Sequence, residues 1–255
     1  MSTLKKLTLI SMVALTTQTF AAEFSFDRPG LSFSTGITPV GRLAWEQSLP
    51  NVSYKQTTVN GQTLDITTFN ADMMLRTGLA NGLELRLGWD GPMWTRLKTA
   101  GHTREEHGLG DISIGLKKAI DLHDDQLSMA LLAEAQLATG NDQFSNHHDV
   151  YTLGSSVSYQ YNSIVNTAIT MLYQHQDNHL AITAIPNIGY QFSDQWSGFS
   201  ELIYRKYEGQ DVEYALTSGV IYAPTQRTQF DASIGLDLNG MDKSYRAGLG
   251  VSYLF

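Results

Sequence analysis

The residues with the most chemical potential in this chain are charges that alternate with apolar neighbours. Glu84, Arg86 and Asp90 interleave with Leu83, Leu85, Leu87 and Trp89. Asp111 and Lys117 interleave with Ile112, Ile114 and Leu116, and Glu134 shares a segment with Leu127, Met129 and Leu131. Arg96 and Arg205 fall on the polar faces of two further segments. A period of two sends successive side chains to opposite faces of a strand. Each segment therefore has an apolar face and a charged one. Opposed charges around a common interior create a transverse field that selects solutes by size and charge. The alternative is that the same eight residues pair as structural ion pairs and fill the interior. Such pairs add little net stability.

Asp27-Arg28-Pro29-Gly30 is the second lead. This stretch is too polar and too turn-prone to open a strand. Residues 22–38 are expected either to fold into the interior as a short plug, with Asp27 and Arg28 as gate residues, or to trail outside it. Histidines form a third cluster. His102 and His107 flank Thr103 to Glu106, and His147-His148-Asp149 follows in the next predicted loop. Such groups can bind a divalent metal or set up a His–Asp pair for hydrolysis. The spacing matches no zinc motif, and surface loops position ligands poorly, so these histidines are read as solvated. No metal, cofactor or catalytic residue is assigned. The chain has no nucleophile elbow, phosphate loop or dinucleotide fingerprint. An enzymatic barrel with a Ser–His pair on its outer wall is the rival class, and a purely structural barrel the third. His175 is the histidine nearest to a mid-strand position, and it sits close to a loop.

The elements that must carry these charges show no helical stripe. Period-two alternation predicts strands at 40–49, 63–78, 83–96, 109–122, 127–138, 150–161, 165–176, 180–192, 196–208, 212–222, 228–238 and 244–255. The first is interrupted by Pro50 and the ninth alternates poorly. Short turns such as Ala80-Asn81-Gly82 follow even-numbered strands. The longest connections (50–62, 97–108 and 139–149) follow odd-numbered ones. That parity is expected of an outer-membrane barrel with both termini in the periplasm. In hydrocarbon an open sheet edge leaves backbone groups unpaired, so the sheet must close. Tyr and Trp concentrate near strand ends, where interfacial girdles form. The last strand alternates Tyr245, Ala247, Leu249, Val251, Tyr253 and Phe255 with polar or small residues. Its terminal aromatic resembles the signal read by barrel assembly machinery.

Composition agrees. Charged residues make up 16% of the chain, against roughly 25% in soluble domains. The absence of cysteine excludes disulfides and thiolate metal sites. Residues 1–21 read as a signal peptide, with Lys5 and Lys6 ahead of a short apolar run and Thr19-Phe20-Ala21 at the cleavage site. The full chain carries 17 basic and 25 acidic residues. Removing Lys5 and Lys6 shifts the net charge from −8 to −10. No basic stripe for nucleic acid is present.

Several segments resemble a known family. They are Phe26-Asp27-Arg28-Pro29-Gly30, Leu75-Arg76-Thr77-Gly78-Leu79 with Asn81 to Trp89, Gly108 to Lys117, Leu131 to Glu134, and Leu137-Ala138-Thr139-Gly140. Their order is similar to that of the outer-membrane transporter family labelled "putative MetA-pathway of phenol degradation". Ala138 stands where the family usually has proline. The resemblance implies outer-membrane passage of small molecules, aromatic ones among them. The resulting expectation is an all-β, closed antiparallel transmembrane barrel of about 12 strands (10–14) over 39–255. It would reside in the cell outer membrane and act as a channel for passive passage of small, hydrophobic or aromatic molecules. Its expected partners are lipid, lipopolysaccharide, the solute and, through Phe255, the assembly machinery.

Overall fold

The computed structural model describes residues 24–59, 61–239 and 243–255; the expected signal peptide lies outside them. The segments are β1 (Leu43–Val59), β2 (Gln62–Asn70), β3 (Met73–Ala80), β4 (Leu83–Trp89), β5 (Pro92–Thr99), β6 (His102–Leu109), β7 (Ile112–Ile120) and β8 (Leu127–Leu137). They continue with β9 (Val150–Gln160), β10 (Val165–Gln176), β11 (His179–Gln191), β12 (Trp196–Tyr207), β13 (Val212–Thr225), β14 (Thr228–Asp237) and β15 (Lys243–Leu254). β2 with β3, β4 with β5, and β6 with β7 are each one strand interrupted by two residues, so the wall has twelve strands. All named strand pairings are antiparallel, and β15 pairs with β1 from Ala44↔Leu254 to Gln56↔Lys243, closing the ring.

The interruptions align. They fall at Ala71-Asp72, Asp90-Gly91 and Gly110-Asp111, level with a register shift between Ser48 and Asn51 in β1. The ladder is sewn across them by Ser48 N–H to Asp72 O (3.0 Å), Ala71 N–H to Pro92 O (3.1 Å) and Asp90 N–H to Asp111 O (2.9 Å). Gly91 is required here. Its φ is +79°, and a Cβ would lie 1.9 Å from Ala71 O. Pro50 does not end β1, because the register shift absorbs the missing donor. Beyond the fault line β1, β2, β5 and β6 continue as a wing that stays joined to the wall through β1 and β15, as far as Gln56↔Lys243, and ends on the edge of β6. Two of the three expected long connections, 50–62 and 97–108, are therefore tight hairpins, and His102 and His107 lie in strand β6 rather than in a loop. The edge of β6 pairs with β5 alone and carries Arg104, Glu105 and Glu106, charges of the kind that discourage edge-to-edge pairing.

The apolar faces point outward. Leu87, Ile112, Ile114, Leu131, Leu153, Ile169, Ile234 and Leu249 are all exposed. Aromatic pairs mark both ends of this band. Trp196–Tyr222 and Tyr253–Phe255 lie at the end with the short turns, and Tyr204–Tyr214 and Tyr54–Tyr245 at the opposite end. The apolar belt between two aromatic girdles is what a sheet in lipid requires.

Candidate functional site

The interior of the ring holds charge. Glu46, Arg76, Glu84 and Lys117 are almost fully buried, although each sits on a strand of the barrel wall. They converge on one segment, residues 24–38, which precedes β1 and runs inside the ring. Asp27 sits between three cations: Arg76 at 3.5 Å, Lys117 at 3.5 Å, and Arg86, which hydrogen-bonds it directly. Burial alone would raise the Asp27 carboxyl. The three cations outweigh burial and hold it well below the usual carboxylate range. Glu46 accepts the backbone N–H of Asp27 (2.9 Å) and Arg28 (2.8 Å), and pairs with Arg76 at 2.7 Å. Glu84 accepts from Arg76 Nε at 2.9 Å and from Thr38 through N–H (2.6 Å) and Oγ1 (2.7 Å). The ring of Phe24 covers the Arg76 guanidinium at 5.3 Å.

The segment crosses to the opposite wall. Ser34 N–H donates to Asp27 Oδ1 at 2.8 Å and closes a loop. From that neck the loop reaches Glu201 on β12. Glu201 accepts the N–H of Leu31 (2.8 Å) and Ser32 (3.2 Å), and the Ser32 hydroxyl as well. Arg28 turns to a third sector, 3.3 Å from both Asp72 and Asp231, while Gln229 Nε2 donates to the Arg28 carbonyl at 3.0 Å. Phe33 packs on Ala130, Leu132 and Leu172. Two cavities flank the crossing. One, of about 520 Å³, lies toward the short turns and is lined by Ser156, Ser158, Asn166 and Asn187. The other, of about 500 Å³, opens toward the hairpin end between Arg205, Glu213, Asp237 and Arg246. Pro29 and Gly30 line both.

The expected site residues separate into groups. Glu84, Arg86, Lys117 and Glu134, on the polar faces of their strands, turn inward and gather with Asp27 at one sector instead of facing each other across a ring, and Arg28 lies on the interior segment beside Asp72 and Asp231. Glu134 is 3.8 Å from Arg86. Arg205 faces the upper cavity and donates to Thr183 at 3.3 Å. Three further residues sit outside this cluster. Asp111 is buried as a loop cap, accepting the N–H groups of Thr139 (3.0 Å), Gly140 (2.8 Å) and Asn146 (2.8 Å). Asp90 lies in the fault line, where Gln136 donates to it at 2.8 Å. Arg96 is half exposed, 3.9 Å from Glu105, because β5 lies in the wing at that point. Arg76, Glu46 and Glu201 are the residues sequence reasoning missed. Arg76 and Glu46 were accessible to the same period-two rule.

The family model described as "Putative MetA-pathway of phenol degradation" matches residues 26–255. The chain belongs to this family. The segments that carry the family resemblance are the ones meeting in the cluster: Asp27 from the segment, Arg76 from β3, Glu84 and Arg86 from β4, and Lys117 from β7. No curated protein matches the chain. Among solved structures, a COG4313 outer membrane channel from Pseudomonas putida F1 superposes with a TM-score of 0.66 at 13% identity, covering 85% of this chain and 96% of that one. A KdgM porin gives 0.52 at 13% identity, over 80% and 98% of the two chains. The translocator domain of the autotransporter NalP from Neisseria meningitidis gives 0.53 at 10% identity, over 85% and 89%. Family member and neighbours share the outer-membrane barrel fold, and a fold of this kind hosts both channels and translocators.

Proposed function

We propose that this chain is an outer-membrane channel for the passive passage of small molecules, hydrophobic or aromatic ones among them, with residues 24–38 as its constriction. The observation that carries this reading is the pair of cavities on either side of Pro29-Gly30. A barrel built only as a scaffold has no need of a polar interior with space above and below one thin crossing. Arg205 then acts as pore lining, Glu84 and Arg86, with Glu134 beside Arg86, anchor the interior segment through Thr38 and Asp27, and Asp27 and Arg28 hold the constriction in place. The direction of passage is set by the solute gradient alone. Lipid surrounds the outward apolar belt, lipopolysaccharide meets the hairpin wing, and the exposed Phe255 is the contact for assembly machinery. The short turns face the periplasm. The family description and the channel and porin neighbours support the same reading without naming a solute.

A second reading rests on Phe33, Leu132, Ile185 and Ile203, which form apolar clusters inside the ring and suit a filled structural barrel. Planar-bilayer conductance separates the two. The intact chain is expected to give small discrete steps, and a variant lacking residues 24–38 larger ones. Silence from both forms, each shown to be folded, overturns the channel.

A further inference from the structure

The two ends of the interior segment are held by different chemistry. At its neck, Asp27 and the backbone of residues 25–28 are gripped by Arg76, Arg86, Lys117 and Glu46, a cluster of paired charges that buries its members. Thr38 is held by Glu84 in the same cluster. The tip, Pro29 to Ser32, is held by one carboxylate. Glu201 is fully buried, and among the described residues its partners are the N–H groups of Leu31 and Ser32, the Ser32 hydroxyl and Asn187 Nδ2 at 3.2 Å. No cation lies among them, so the charge of Glu201 is met chiefly by the tip itself. Hydrogen bonds to an ionised acceptor are about twice as strong as neutral ones, and three of the four here come from the tip. The approach is close. A Cβ on Gly30 would sit 2.4 Å from Glu201 Oε1.

Glu201 stands at the boundary of the two cavities: it lines the lower one, and Leu31 lines the upper one. Releasing the tip from Glu201 would join the two spaces while leaving the neck bound. We infer that Glu201 is the latch of the channel, and that its grip on Leu31 and Ser32 determines whether the two interior cavities communicate. A glutamine at 201 keeps the shape but has a single acceptor oxygen and presents an NH₂ donor to groups that also donate. It cannot hold the tip as the carboxylate does. An alanine removes the grip entirely. Solutes compete for the latch only by offering donors, so molecules bearing N–H or O–H groups, cationic donors most strongly, are the class able to displace the tip.

This inference rests on the channel reading, and its test has two readouts so that the two can fail separately. The first is single-channel conductance of the full chain, Glu201→Gln, Glu201→Ala, Glu105→Gln and the variant lacking residues 24–38. Glu105→Gln is the control, because Glu105 is half exposed on the wing beside Arg96 and touches neither the tip nor the interior cluster. The Glu201 variants are expected to show at least two-fold larger or more frequent open steps, approaching the truncated form, with Glu105→Gln like the parent. The second readout is independent of transport. The chain has no cysteine, so a nitroxide on Leu31→Cys reports the tip alone by electron paramagnetic resonance. Adding Glu201→Gln is expected to convert an immobilised spectrum into a mobile one. A spectrum that stays immobilised overturns the latch. Conductance that rises on truncation but not in either Glu201 variant also overturns it, while the channel stands. A mobile tip with every form silent sustains the latch contact and overturns the channel, and with it the role of the latch in passage.

Discussion

Arg76 carries more of the interior than any other residue. It reaches Glu46, Glu84 and Asp27 at once and is fully buried. Removing one member of a buried, paired set costs about 3–5 kcal/mol, because the remaining charges lose their compensation. Arg76→Met should therefore lower the stability of the refolded barrel by about that amount, read as the midpoint shift in urea unfolding. A shift below about 1 kcal/mol would mean that water or neighbouring cations replace it. Asp27 makes a pH prediction with a definite sign. Its carboxyl is held well below the unfolded value, so the stability it contributes is present above the unfolded value and is lost only as pH falls through the lower folded one. Acidifying from pH 7 to pH 5 should leave Asp27 ionised and the neck of the segment bound, read as an unchanged spectrum from a nitroxide placed beside it, whereas Asp27→Asn at pH 7 should enlarge the conductance step. The interior residues were legible to the extent that alternation was legible. Glu84, Arg86 and Lys117 stand on strands where apolar and polar residues alternate cleanly. Glu201 stands on β12, where Phe199 and Ile203 also face inward and Ser200 faces outward, bonded to Ser218 at 2.8 Å. That inversion hid the residue now argued to hold the tip.

At the scale of elements, the strand positions followed from the period of two, while the vertical architecture did not. A hairpin that leaves a barrel wall as a wing and a hairpin that spans it use the same alternation and the same turns. The residues 50–62 and 97–108 are polar enough to resemble loops, yet they pair register by register. The fault line is marked in the sequence only by the small residues and acids at 71–72, 90–91 and 110–111, whose meaning depends on their being level in space. Gly91 tests this. It combines a φ of +79° with a Cβ position 1.9 Å from Ala71 O, while Gly61, at φ +76°, has nothing within 4 Å. Gly61→Ala should cost about 1–2 kcal/mol, the left-handed penalty alone. Gly91→Ala must add displacement of the Ala71-Asp72 backbone and should cost distinctly more, with loss of amide-exchange protection at Ala71. Equal costs would show that the fault line is compliant and not fixed by this contact.

For the molecule as a whole, the question is whether the interior segment is a removable part or a piece of the core. Charge balance decides it. Without Asp27 the sector keeps three cations, Arg76, Arg86 and Lys117, against three anions, Glu46, Glu84 and Glu134. The wall closes on its own through β1 and β15, so no backbone ladder depends on residues 24–38. Water entering the emptied lumen can solvate the exposed charges, a replacement that a buried protein core does not have. The truncated chain is therefore expected to refold into a closed barrel. It should keep the shift in gel mobility between unheated and boiled samples, and lose that shift at a lower temperature than the intact chain. The drop reflects the loss of Phe33 from its contact with Ala130 and Leu132 and of the hydrogen bonds to Glu46, Glu84 and Glu201. A truncated chain with no heat-dependent shift would show that the segment is needed to fold the ring, and the interior would then be a core with gaps and not a gated passage.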